Sequence, residues 1–347
     1  MNKRFFVQHW IWICCIATFL ILFSCGLWVY RIIWAPSFFP EKPVYIYIDE
    51  TKDWNKLCTH LEDSASCTHI RWFKFLSSWM NYKGNLKTGR YQINPEMNNI
   101  SVIRKLRSGD QDAVHLTFIG SRTKEDMVER IDKQLLLKGE DLLQMMNDSV
   151  WCASMGFNKE TIVSMFIPNT YQVYWNVSPD KFMARMKREF NSFWNQSRVQ
   201  KAKEIGLTPV EVSILASIVE EESAAVEEYP LIAGLYINRL KKGMFLQADP
   251  TVKFAVGDFK LQRILNKHLE VDSPYNTYKY VGLPPGPIRI SSTRGLNAVL
   301  NYTKHHYLYM CAKEDFSGRH NFAKTLAQHI RNAVKYQQEL NRRKIFK

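Results

Sequence analysis

Metal-site spacing is missing from this chain: neither CxxC nor HExxH occurs among its 347 residues, which removes the zinc-finger and zincin classes from consideration. Internal repeats of 20 to 50 residues are missing too, and with them solenoids and propellers. Low-complexity tracts are absent, and a hydrophobic share of 46% with 13% aromatics is enough to bury a sizeable core. The formal net charge is +14, yet Lys and Arg are spread along the chain instead of forming a stripe with stacking aromatics, so nucleic acid is not the expected partner. Anionic lipid and an anionic polymer outside a membrane suit such a charge better.

Long apolar runs are also scarce, with one exception. Trp10 to Tyr30, WIWICCIATFLILFSCGLWVY, contains no charge over twenty-one residues, close to the ~20 needed to cross a bilayer as a helix. Lys3 and Arg4 precede it and Arg31 follows, a small excess that favours a cytoplasmic N-terminus with the remainder outside. A cleaved signal peptide has a shorter apolar region and a small-residue cleavage site, whereas bulky residues continue here through GLWVYRIIW. Leu22-Phe23-Ser24-Cys25 loosely resembles a lipoprotein signal, but Phe fits poorly there and the apolar run does not stop at Cys25. Residues 1–35 therefore read as a cytoplasmic tip and single transmembrane anchor. Beyond the anchor, Cys58 and Cys67 either close a short disulfide loop in an oxidising compartment or are separate buried thiols.

Residues 40–120 mix short elements: PVYIYIDE alternates as a half-buried strand, WNKLCTHLED is helical, a strand lies around Tyr91 to Ile93, a helix spans about Ser101 to Leu106, and AVHLTFIG is strand-like. That is a small α+β unit. From Arg122 the pattern turns helical, and Met183, Met186, Phe190 and Phe193 recur at core spacing on an amphipathic helix.

The densest information lies between Leu207 and Phe322. Thr208-Pro209-Val210-Glu211 is a helix start, with Thr as N-cap, Pro at the first position and Glu closing a capping box. In the register it sets, Val212, Leu215, Ile218 and Val219 share a face, and of the acids in ASIVEEESAA only Glu222 falls near the middle of that face. Two readings follow. The helix either frays before Glu222, leaving Glu220, Glu221 and Glu222 as surface charges, or it persists and holds Glu222 partly desolvated. Burial raises a carboxyl pKa, neighbouring Glu220 and Glu221 would push the same way, and a protonated carboxylic acid is the central tool of glycan cleavage.

A second helix follows in YPLIAGLYINRLKKG, offering Leu231, Leu235, Ile237 and Leu240 for packing. In LQADPTVKFAVGD, Asp249 can cap a short helix ended by Gly257. SPYNTYKYVGLPPGPI then places Tyr275, Asn276, Thr277, Tyr278 and the Gly282 to Pro287 turn in a loop that is either a sugar-binding surface or a structural loop packed by its own aromatics.

LASIVEEES, INRLKKGMFLQADPTV, YNTYKYVGLPPGPI and GRHNF resemble, in order, the motifs of the endolytic murein transglycosylases, the YceG-like family. Upstream, LKTGRYQINPEMNNISVIRKLRSGD resembles a LysM-like unit and FIPNTYQVYWN another family motif, so the resemblance covers nearly the whole chain. It implies an α+β fold with one transmembrane helix, a LysM-like subdomain at 40–120 and a YceG-like catalytic domain at 121–347. It also implies a lyase that cuts the β-1,4 bond between N-acetylmuramic acid and N-acetylglucosamine in nascent peptidoglycan strands. The products end in 1,6-anhydro-muramoyl groups, strand elongation stops, and no metal or cofactor is required. The family's catalytic acid is the second of a Glu-x-Glu pair and aligns with Glu222, with Glu220 as a supporting residue. Asn238, Arg239, Gln247, Asp249, Thr251, Tyr275, Asn276, Thr277, His320 and Phe322 match segments implied to bind substrate, although Asp249 alone also fits a simple helix cap and His320 a strand end. Implied surroundings are the extracytoplasmic side of the bacterial inner membrane, with peptidoglycan strands, the bilayer and peptidoglycan synthases as partners. Glu221, expected to be solvated, and the extracytoplasmic cysteines lie outside the family pattern. A non-catalytic glycan-binding scaffold and a hydrolase of the same bond are the competing readings.

Overall fold

The computed structural model describes residues 3–118, 120–261 and 263–343, in two compact units. One comprises Met1–His115 with Gln172–Val177, the other Leu116–Tyr171 with Ser178–Lys347.

The first unit begins with α1 (Lys3–Ile33), whose Trp10–Ile33 stretch is long and apolar enough to cross a membrane. It continues through β1 (Val44–Ile48), α2 (Trp54–Asp63), α3 (Ile70–Trp79), β2 (Gly89–Ile93), α4 (Asn99–Ser108) and β3 (Val114–Leu116). β1 and β2 pair antiparallel, Val44 opposite Ile93, and the inward side chains Ile46, Ile48, Tyr91 and Ile93 meet Leu57, Leu61, Phe73, Val102, Ile103 and Leu106 from the helices. Asn98 caps α4 through Ser101 N–H, and Gly109 ends it in the left-handed region at φ 75°, so the helix is longer than the Ser101 to Leu106 estimate. The strand expected over AVHLTFIG is limited to Val114–Leu116; Ile119 lies outside the described residues. Cys58 and Cys67 are separate buried thiols, both pushed up by burial, Cys67 to about 11.

The second unit contains α5 (Lys124–Asp132), α6 (Gly139–Asn147) and α7 (Ser149–Ser154). β4 (Tyr171–Val173) has Tyr171 in this unit and its other two residues in the first, and after it come α8 (Pro179–Phe193), α9 (Gln196–Ile205), α10 (Pro209–Glu222), α11 (Tyr229–Lys241), α12 (Asp249–Val256), α13 (Asn266–Leu269) and α14 (Thr293–Leu300). The hairpin β5 (Tyr309–Ala312) and β6 (His320–Ala323) follows, and α15 (Leu326–Arg342) packs on it. On α8 the expected stripe is buried through Met183, Met186 and Phe190, while Phe193 is half-buried. At the centre lies α10, packed against α9, α11, α12 and α14.

Candidate active site

α10 starts where its sequence dictates. Thr208 Oγ1 accepts from Glu211 N–H at 3.2 Å, Glu211 Oε2 accepts from Thr208 N–H at 2.7 Å, and Pro209 occupies the first turn. The helix runs to Glu222 before Ser223 turns extended, so fraying ahead of the third acid does not occur. Val212, Leu215, Ile218 and Val219 are fully buried as expected, but Ser213, Ile214, Ala216 and Ser217 are buried as well. The helix is therefore enclosed on every side along its middle, and the apolar stripe is not what distinguishes the three acids. Glu220 is the most buried of them, and Glu221 and Glu222 are both half-buried. Their partners separate them.

Glu220 is satisfied internally. Its Oε1 accepts from Ser292 N–H at 2.9 Å, Gly295 N–H at 3.1 Å and the Ser292 hydroxyl, all at the start of α14, where the helix dipole favours an anion. Arg289 Nε lies 3.4 Å from Oε2. Burial raises the Glu220 carboxyl, and the serine, arginine and backbone contacts oppose that rise. A Cβ at Gly295 would collide with Glu220 Oε1. Gly295→Ala is accordingly expected to destabilise the protein by about 1–3 kcal/mol through overpacking, despite the better helix propensity of Ala. Thermal unfolding checks this, and unchanged or increased stability contradicts it.

Glu221, expected to be solvated, is instead paired: Oε1 with Arg289 at 2.8 Å and Oε2 with Arg122 at 3.0 Å. The two arginines take up the charge of Glu220 and Glu221 together. For that reason the expectation that these neighbours raise the third carboxyl by repulsion is not met.

Among the described residues no cation is ion-paired with Glu222. Its Oε1 accepts a 2.5 Å hydrogen bond from the buried Tyr236 hydroxyl of α11, and Oε2 has no hydrogen bond among the described residues. Burial pushes the Glu222 carboxyl up to about 7; the Tyr236 bond and the more distant Arg239 lower it, while the Asp249 charge raises it. The Tyr236 phenol is itself held far above its usual range by burial and by the carboxyl it faces, so it stays a donor. One oxygen is thus fixed and one is free, on an acid that titrates near neutrality.

The remaining expected site residues divide sharply. Asn238 Nδ2 donates to the carbonyls of His305 at 2.8 Å and Tyr307 at 3.1 Å. Arg239 is buried, with donors on the carbonyls of Leu308 at 2.6 Å, Leu246 at 2.7 Å and Phe245 at 3.1 Å and on Gln247 Oε1 at 3.3 Å. Thr251 and Thr277 share a buried hydroxyl pair at 2.8 Å, Thr277 Oγ1 also accepting from Ala248 N–H at 3.0 Å. Asn276 Nδ2 donates to the carbonyls of Leu269 and Val271, both at 2.8 Å. Through the groups named, these five side chains hold backbone and one another.

Others face outward. Gln247 is exposed at φ 53°, and Asp249 is exposed without capping α12, whose N-cap is Ala248. As the first residue of that helix, Asp249 turns its Oδ1 to the Tyr278 hydroxyl at 2.6 Å instead. Tyr275 is half-buried against Phe254, ring centroids 4.7 Å apart. Half-buried His320 begins β6, with Nδ1 2.8 Å from Oε2 of buried Glu228 and its N–H donating to Oε1 at 2.9 Å. Glu228 in turn accepts from Ser223, the residue that ends α10, at 3.2 Å. Phe322 stacks obliquely on Tyr307. Tyr278 belongs to the aromatic loop visible in the sequence, whereas nothing local in the sequence marks Tyr236, Glu228 or Arg289.

A cavity of about 330 Å³ is lined among others by Arg122, Lys124, Lys159, Glu160, Phe254 and Tyr275. Glu222 is not in its wall. Arg122 joins the two places through its ion pair with Glu221.

Comparison with known proteins agrees with this architecture. The model of the YceG-like family matches residues 46–335. The endolytic murein transglycosylase of Bacillus subtilis is 32% identical over 285 residues, 76% of this chain and 77% of the relative. That of Streptococcus pneumoniae strain D39 is 26% identical over 330 residues, 85% of this chain but 59% of the longer relative. The crystal structure of a YceG-like protein from Listeria monocytogenes aligns with a TM-score of 0.57 at 30% identity, covering 84% of this chain and 99% of that one.

Proposed function

The chain belongs to the YceG-like family, and from that premise we propose that it is a membrane-anchored endolytic peptidoglycan lytic transglycosylase with Glu222 as its single acid and base. The observation that carries the reading is the state of Glu222: a carboxyl raised to about 7, with one oxygen fixed by Tyr236 and the other free, next to two acids whose charges are already matched. The relatives' name, endolytic murein transglycosylase, supports the substrate class.

Protonated Glu222 gives its proton to the glycosidic oxygen between N-acetylmuramic acid and N-acetylglucosamine as the C1–O bond breaks. The resulting carboxylate takes the proton of the muramoyl C6 hydroxyl, whose oxygen bonds to C1. The acid ends protonated, and no water is consumed. Tyr236 positions the carboxyl. Asn238, Arg239, Thr251, Asn276 and Thr277 hold the surrounding chain through backbone contacts, Glu220 ties α10 to α14, and Gln247, Asp249, Tyr275, His320 and Phe322 are left to meet glycan. α1 anchors the enzyme in the inner membrane with the catalytic domain (121–347) outside, where synthases make nascent strands; residues 40–120 form a LysM-like unit, and cutting ends strand elongation.

Mass analysis of products from uncrosslinked glycan strands tests the reaction. Termini lighter than hydrolytic ends by one water support the lyase; reducing ends support a hydrolase, for which Asp249 is the second carboxylate whose charge reaches Glu222; unchanged strands support a scaffold.

Tyr236→Phe gives a further expected outcome. Loss of the bond that lowers the Glu222 carboxyl moves its pKa above about 7, so the alkaline limb of the pH–rate profile shifts to higher pH. Maximal rate falls by about tenfold or more as the carboxyl loses its orientation. A lower rate with the alkaline limb unmoved contradicts a positioning role for Tyr236.

A further inference from the structure

The membrane-side end of the first unit carries an aromatic face that the proposed chemistry does not use. α1 is not joined to this unit by a free linker. Ile32 is buried in its core, Asn99 Nδ2 donates to the Ile32 carbonyl at 3.0 Å, Asn98 Nδ2 to the Trp34 carbonyl at 3.3 Å, and Ser37 N–H to the Met97 carbonyl at 2.9 Å. The end of the apolar helix is therefore bolted to α4.

α3 lies alongside that end. The Trp72 ring meets Trp28 of α1 edge to face, centroids 5.0 Å apart. Trp28 precedes the buried Ile32 by four residues, so this contact sits about 6 Å back along the apolar helix. Trp72, Phe75 and Trp79 follow one another at spacings of three and four and share one face of α3, whose other face buries Phe73, Leu76 and Ser77. Phe75 is 60% exposed and Trp79 74% exposed. Exposed Arg71 and Lys74 flank the aromatic face. At the same end, Tyr30 of α1 and Trp34 just after it are exposed.

Large aromatic rings on a soluble surface leave apolar area in water, whereas tryptophan is at home at the depth of lipid headgroups, where its ring is buried and its N–H solvated. Cations beside such rings meet anionic headgroups. We infer that α3 lies in the interface of the bilayer that α1 spans, with Phe75 and Trp79 among the headgroups and upper acyl chains and Arg71 and Lys74 on anionic phospholipid. The ligand is the phospholipid surface, and the first unit is held flat against it at two points instead of one. This rests on the anchoring reading of α1.

The test places the photocrosslinker p-benzoylphenylalanine in the full chain at position 75, 79, 20 or 62, in liposomes of phosphatidylethanolamine and phosphatidylglycerol, followed by irradiation and mass analysis. Leu20 is mid-span, and Glu62 is exposed on α2. Thermal unfolding of each variant confirms that it is folded. The expected result is phospholipid adducts at 75 and 79 as at 20, and none at 62. Lipid adducts at 20 without any at 75 and 79, or adducts there to protein alone, overturn the proposal while leaving the anchor intact. Lack of lipid adducts at 20 overturns the anchor and the proposal with it.

Discussion

Glu222→Gln is expected to remain folded and to cleave glycan strands slower by on the order of 10³-fold, the scale of a lost general acid and base. The amide preserves size and can still accept from Tyr236, but it can neither give a proton to the glycosidic oxygen nor take one from the C6 hydroxyl. The same variant has a second expected signature, in stability. Below the ordinary carboxyl value of 4.5 folded and unfolded chains both carry the proton, and Glu222 has no effect on stability through ionisation. Between 4.5 and about 7 the unfolded chain ionises first, so the native protein loses stability as pH rises, and above about 7 the loss is complete. Glutamine escapes that loss. The variant should be more stable than the parent at pH 8, by on the order of 2–3 kcal/mol, with the gap closing toward pH 4. Thermal unfolding across that range checks it. A variant that cleaves normally, or one whose stability advantage does not depend on pH, contradicts the role given to Glu222.

Arg239→Ala is expected to act in the opposite way, on folding before activity. Its donors reach the carbonyls of Leu308, Leu246 and Phe245 from a buried position, so they tie α11 to the chain just after it and to the start of β5. Removing the guanidinium leaves three carbonyls without that partner and a cavity where it lay, at a cost of about 3–5 kcal/mol. Against a typical total of about 5–15 kcal/mol, that is a large fraction of native stability. Arg239→Lys should recover only part, since a single ammonium cannot reproduce the fork. Denaturant unfolding gives the measure. Unchanged stability with a raised KM for glycan would contradict the structural role and return Arg239 to substrate contact.

Local chemistry made much of this molecule legible in its sequence, and long-range pairing hid the rest. The Thr208 capping box and Pro209 set the start of α10 and its register as far as Glu222, because caps and first-turn prolines act within a few residues. The apolar run Trp10 to Tyr30 and the alternation of PVYIYIDE were equally local signals. What separates three adjacent glutamates could not be read that way. Arg289 is 68 residues from Glu221, Tyr236 is 14 from Glu222, and Ser292 is 72 from Glu220, and each pairing exists only because α11 and α14 pack on α10. Because the helix is enclosed all round, its apolar face does not single out Glu222; among the described residues it is the one of the three carboxyls without an ion-paired cation. Asp249 shows the converse error, since a residue type suited to capping turned its carboxylate to Tyr278. Asn276, Thr277 and Thr251 have the polarity of sugar ligands and spend it on their own loop and helix.

In the proposed reaction one carboxyl suffices because the muramoyl C6 hydroxyl, and not water, attacks C1. Cleavage of glycan strands by the full chain in water enriched with oxygen-18 tests this at the reacting bond. Anhydro termini with no heavy oxygen incorporated are expected; heavy oxygen at the new muramoyl C1 would overturn attack by the C6 hydroxyl.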